Sequence, residues 1–263
     1  MNHEGLGARV RIQVRVRGNR WLLVGAALTV WGITAYAGPG GGTPGSPAAS
    51  SSPGGASTAS TAPGPPLSAE ALKSIALTGE DVPDSLAVSA DERSPADSDS
   101  TSPPVSDPSC ETLLDATHAV GASAVVDQSI TWKGSILPGG NTLASYEGTG
   151  AEKAIDRVRT SLTTCHDFTG DSSGGKYTAH VALEKAPRLG DESIAFRVAT
   201  PVKLEASDLP GGLPVPVQNE HHILVRVGGV TASFSMLDLD NSNHFPLALI
   251  RKEVARMTKA QHA

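Results

Sequence analysis

Only two cysteines stand in the sequence, and neither lies near the apolar run that begins at Trp21, so the thiol that a lipoprotein anchor needs is missing. Missing too are the G-x-S-x-G elbow of a serine hydrolase, a phosphate-binding P-loop, the H-E-x-x-H of a zinc peptidase and any convincing pair of carboxylates. With none of these in place, no enzyme activity, no cofactor and no metal site is expected. Basic side chains are scarce after residue 37. Residues 1–37 hold five arginines and Glu4; without them 16 basic and 26 acidic groups remain, a formal charge of −10 against −6 for the whole chain. Such a balance repels phosphates, so nucleic acid and anionic lipid surfaces are poor partners.

What is present begins with an export pattern. Residues 1–20 carry Arg9, Arg11, Arg15, Arg17 and Arg20, and the 17-residue apolar run WLLVGAALTVWGITAYA, residues 21–37, follows at once. A basic region followed by an apolar core is the order of a signal peptide, and Ala35 and Ala37 around Tyr36 give the small-x-small pattern a signal peptidase accepts. The run also reaches the short limit of a membrane span. Two outcomes therefore stand side by side: cleavage after Ala37, or retention of residues 21–37 as an anchor. Both leave residues 1–20 cytoplasmic and place the chain from Gly38 onward outside.

Residues 38–66 are almost entirely Gly, Pro, Ser, Thr and Ala, which bury too little apolar surface to offset the entropy of folding and read as a disordered tether. The folded domain is expected over residues 67–262. Ser68 caps a short helix with Leu72, Ile75 and Ala76 on one face, ending at Gly79. A first strand is expected in DSLAVSA, and the polar stretch 92–107 reads as a mobile loop. Asp107 and Pro108 open a second helix with Cys110, Leu113 and Leu114 on one face. Strands are expected over residues 124–133 and 142–147. Thr149 and Glu152 have the spacing of a capping box before a helix whose stripe runs through Ala151, Ala154, Ile155, Val158, Leu162 and Cys165. KYTAHVALEK and ESIAFRVAT alternate as strands. In HHILVRVGGVTASFSM, a two-residue Gly228–Gly229 turn would set Val227 against Val230, Val225 against Ala232 and Ile223 against Phe234, all on one face. A last helix starts after Pro246 with Leu247, Ile250, Val254 and Met257 on one side. The fold class is α+β: an antiparallel sheet packed against helices, expected on one side, in a single domain with one disulfide.

Four candidate sites arise. Cys165, His166 and Asp167 stand side by side, but neighbours on a helix point about 100° apart, and catalytic partners usually meet from distant segments. Two cysteines in an exported chain read first as a disulfide, Cys110 with Cys165, rather than as a nucleophile. His180, His221, His222 and His244 could gather at the sheet as zinc ligands, yet alternation puts His221 and His222 on opposite faces, and surface or edge histidines are expected instead. DLDNSN, residues 238–243, begins like a calcium loop, but Asn243 stands where glycine is needed and Leu249 where the closing glutamate belongs; a polar turn is expected. Residues 201–220, rich in Pro and Gly, form a long connection that suits either a plain surface loop or a binding edge.

LKSIALTGEDVP, SCETLLDA, SLTTCHDF, LGDESIAFRV and ILVRVGGVTASFSM, in that order, resemble the extracellular sensor domain of PknH-type mycobacterial Ser/Thr kinases and of related exported actinobacterial proteins, over about residues 67–261. The resemblance implies an antiparallel sheet flanked by helices, with a cleft for an unidentified ligand. Two departures stand out. The kinase sensors carry two disulfides where this chain can form one, and no kinase is present here, so any signal would pass through a separate partner. The expected function is an exported, non-enzymatic, sensor-like or ligand-binding domain of the cell envelope. Its partner would be a small molecule or envelope component of unknown identity. An envelope adaptor without a small ligand is the alternative, and an exported hydrolase a more distant one.

Overall fold

A computed structural model describes residues 64–94, 103–135, 137–172, 175–202, 215–239, 241 and 243–262. All belong to one compact unit, Ser57–Ala263. Residues 1–37, expected to direct export, and most of the tether lie outside the described residues, as do residues 95–102 of the loop expected over 92–107. The ends of that loop are tied to the fold: Arg93 Nε donates to Asp127 Oδ2 at 2.8 Å, and Val105 makes a β-bridge with Gly170. No described helix is long and apolar enough to cross a membrane.

The local signals hold at most element starts. The Ser68 hydroxyl accepts from the Ala71 amide at 3.2 Å and opens α1 (Ala69–Ile75). Asp107 Oδ1 accepts from the amides of Ser109 at 2.7 Å and Cys110 at 3.2 Å, opening α2 (Pro108–Thr117) with proline in its first turn. The expected capping box of α3 (Gly150–Ser161) does not form. Thr149 sits at φ −91°, ψ 17° with no side-chain cap hydrogen bond, away from the extended conformation that turns a capping hydroxyl toward the helix amides. Helix α4 (Leu247–Gln261) starts after Pro246 and buries Ile250, Val254 and Met257.

Eight strands form one antiparallel sheet: β1 (Ser85–Glu92), β2 (Ala124–Trp132), β3 (Gly139–Ser145), β4 (Asp167–Ser172), β5 (Gly175–Glu184), β6 (Glu192–Pro201), β7 (Val217–Val227) and β8 (Val230–Asp238). Their order is β1-β2-β3-β8-β7-β6-β5-β4. Two meanders, β1 to β3 and β4 to β8, thus meet at β3 and β8, and α3 carries the chain from the middle of the sheet to its far edge. The β7–β8 hairpin has the expected register, Val227 with Val230, Val225 with Ala232 and Ile223 with Phe234. Gly228 takes φ +55° in the turn, which glycine adopts without strain.

The helices cover both faces of the sheet rather than one. Val225 packs in a core with Leu72 and Ile75 of α1 and Ile250, Val254 and Met257 of α4. Its strand neighbour Leu224, which points the opposite way, packs with Cys110 and Leu113 of α2 and Ile155 and Val158 of α3. Consecutive apolar residues such as Ile194-Ala195-Phe196, all buried, are the pattern of strands enclosed on both sides. Under α1 and α4 a buried polar chain links the layers. Gln128 Nε2 donates to Leu77 O at 2.7 Å, and Asn141 Nδ2 donates to Glu253 Oε2 at 2.7 Å.

Candidate functional site

Cys110 and Cys165 form a disulfide with Cα atoms 4.9 Å apart, joining α2 to the turn after α3. Both are buried, 0% and 1% exposed, and no cysteine is left free. His166 and Asp167 point outward, and Asp167 Oδ1 lies 3.0 Å from Nδ1 of exposed His180. The Cys-His-Asp run is therefore a structural staple followed by a surface pair.

The sheet face under α1 and α4 is covered over β1, β2, β3, β8 and part of β7, but no residue of β5 belongs to that core. Beside α4 this leaves a cleft of about 400 Å³ walled by Glu184, Pro187, Ala195, His221, His244 and Phe245. Strand register explains how its polar wall assembles. Glu184 of β5 pairs with Ala195 of β6, which pairs with Ile223 of β7, while Arg197 pairs with His221. Strands next but one in a sheet run about 9.6 Å apart, too far for most side chains to meet. The small Ala195, 3% exposed, leaves a path between them. Glu184 Oε2 reaches His221 Nδ1 at 3.2 Å.

His221 has a side chain only 3% exposed, and its Nε2 is buried with no hydrogen-bond partner among the described residues. An unpaired polar atom held from water is a standing cost to the fold. His244 packs its ring edge-on against His221, centroids 4.2 Å apart. The segment before it brings it there: Asp238, 2% exposed, accepts from the Asn243 amide at 3.0 Å. On the other side, Phe245 is buried against Phe234 and Trp132. Residues 240 and 242 of the polar turn expected at 238–243 lie outside the described residues; the bond between Asp238 and Asn243 fixes the chain just before His244. Arg197 borders the group, its Nε 3.7 Å from Glu184 Oε1 and its Nη1 donating to Asn219 Oδ1 at 2.7 Å.

Of the four histidines considered from sequence, the fold brings together His221 and His244. His180 is exposed on β5 and pairs with Asp167 of the edge strand β4, and His222 lies on the other face, stacked on Phe196 with centroids 4.7 Å apart. The expectation of surface or edge histidines is corrected for His221 and His222, both under 8% exposed; they sit on a central strand, His222 against Phe196 and His221 against His244. Glu184 and Arg197 were not visible as site residues, since only the β5–β6–β7 register aligns them. Within the expected connection 201–220, Pro201 ends β6 and residues 217–220 already belong to β7; residues 203–214 lie outside the described residues. A wider hollow of about 850 Å³ runs between α2 and α3, but its lining includes Thr112, Lys153, Asp156, Arg157 and Thr160, all exposed. Polar groups already open to solvent gain little from a ligand.

The fold and cleft define the class: an α+β domain with a three-layer helix–sheet–helix arrangement and a half-open pocket beside its last helix. No family model matches the chain, and no curated protein matches it. Among solved structures it is similar to the extracellular domain of PknH from Mycobacterium tuberculosis, at 12% identity and a TM-score of 0.49, over 75% of this chain and 98% of that one. At that distance no property of the site is taken from the likeness.

Proposed function

We propose that the chain is an exported, non-enzymatic, sensor-like domain of the cell envelope that binds a small molecule in the cleft over Ala195. Export is supported by the basic-then-apolar order of residues 1–37. Binding is supported by one observation above others: the cleft wall holds the buried imidazole of His221, whose Nε2 has no hydrogen-bond partner among the described residues. A ligand group that reaches this nitrogen as the wall side chains shift removes a cost the unliganded fold carries. Apolar Ala195, Ile223 and Phe245 supply the floor and side, the mixture of surfaces expected of a ligand pocket. The adaptor reading has less support. The two most exposed large apolar side chains among the described residues, Leu86 at 67% and Leu183 at 71%, lie toward opposite ends of the sheet and form no common patch.

Thermal unfolding of the full chain in the presence of small-molecule extract from its native envelope tests this. The extract raises the midpoint of the wild type and leaves Ala195→Phe, whose ring fills the cleft floor, unmoved; His244→Ala, which removes an exposed ring, loses most of the shift. No shift in the wild type, or an equal shift in both variants, refutes the cleft as the ligand site.

A further inference from the structure

We propose that Glu184, His221 and His244 hold a divalent transition-metal ion of the zinc class, with a coordination position open to the cleft. The proposal rests on the reading of the cleft as a ligand site and names what would receive the ligand there. One donor atom from each of the three side chains lies within 4.8 Å of the other two. The 3.2 Å between His221 Nδ1 and Glu184 Oε2 falls between the edge of an octahedral shell, ~3.0 Å, and that of a tetrahedral one, ~3.4 Å, for bonds of about 2.1 Å. Those two atoms can thus contact one ion with little movement. His244, exposed and at the cleft margin, closes the remaining distance by rotating its side chain.

The setting favours such an ion in two further ways. His221 is held by the sheet, and the backbone at His244 is held by anchors on both sides, Asp238 to Asn243 and Phe245 in the core, so the His244 movement is confined to its side chain. Glu184 Oε2 also faces Nδ1 of the His221 ring already, so the imidazole presents its donor atom toward the carboxylate with which it would share the ion. Two imidazoles and one carboxylate select zinc, nickel or copper over calcium and magnesium, which prefer oxygen. Charge defines the next ligand. A dication with one carboxylate leaves a net positive centre, and Arg197 at 3.7 Å from Glu184 and Lys185 at the cleft wall add to it. The open position therefore takes an anionic group, such as a carboxylate, from the small molecule.

Cobalt titration of the full chain, stripped with a chelator and free of any organic ligand, tests the site. We expect one Co²⁺ per chain with visible d–d bands, displaced by Zn²⁺ and not by Ca²⁺ or Mg²⁺. His244→Ala and Glu184→Gln weaken binding at least about tenfold, whereas His180→Ala, outside the cleft, leaves it unchanged. Absence of the bands, or bands of the same strength in His244→Ala, overturns the proposal. The two readings fail separately. Extract-driven stabilisation that Ala195→Phe abolishes, without Co²⁺ binding, removes the metal and keeps the cleft; Co²⁺ binding without an extract effect keeps the metal and removes the small-molecule ligand.

Discussion

Glu253 has no exposed surface, and burial pushes its carboxyl up to about 8, against the pull of Arg256 and of the Asn141 hydrogen bond. The folded chain therefore holds this proton more tightly than the unfolded one, whose carboxyl titrates near 4.5. The group's contribution to stability is full below pH 4.5 and is lost as pH rises toward 8, by up to about 5 kcal/mol from linkage. Glu253→Gln keeps an oxygen for Asn141 and has no charge to bury. Urea unfolding between pH 5 and 8 should show wild-type stability falling with pH and the variant flat, the two diverging by about 2–4 kcal/mol at pH 8; parallel curves would rule out a neutral Glu253 in the fold. Asp81 works in the other direction. Burial raises it, but hydrogen bonds from Arg256, Lys252 and Thr78 outweigh that and hold its carboxyl well below the usual range, so its contribution is lost only in strong acid.

At the scale of elements, the disulfide ties α2 to the end of α3 and closes a loop of 55 residues, worth about 4 kcal/mol by the chain-entropy account. Protein recovered from its native host should label at neither cysteine before reduction and at both after it, and reduction or Cys110→Ser/Cys165→Ser should lower unfolding stability by about 2–5 kcal/mol. Labelling of Cys165 without reduction would contradict the staple. Elements were legible in sequence wherever two local signals agreed. The β7–β8 hairpin had both alternation and a Gly-Gly turn, and its register matches residue for residue. Where one signal was weak, the element escaped. β4 holds a single large apolar side chain, Phe168, in six residues, too short an alternation to register. β3 begins at Gly139, earlier than its sequence suggests, pairing there with Ile130 and Met236, and a side chain at that position would meet the Trp132 ring at 2.7 Å. Only the folded sheet shows that this glycine seats an aromatic ring rather than makes a turn. The placement of helices on both faces was hidden for a similar reason: each helix shows an apolar stripe, and nothing in the stripe says which face of the sheet it meets.

For the whole molecule, the two meanders join at the middle of the sheet, so α4 lies over its centre and no described helix covers β5 on that side; the cleft is a product of topology. Half of its polar wall, His221 and His244, stands among the histidines that sequence singles out, because histidine is conspicuous, but sequence alone suggests surface or edge groups. The other half could not be named from sequence, since Glu184 meets His221 across an intervening strand and only because residue 195 is alanine. The measurement that tests the cleft most directly is histidine-selective NMR of the full chain, titrated with envelope extract. The imidazole signals of His221 and His244 should shift together while those of His166 and His180 stay in place. Shifts confined to other histidines, or none at all where the extract stabilises the fold, would contradict the assignment of this cleft as the binding site.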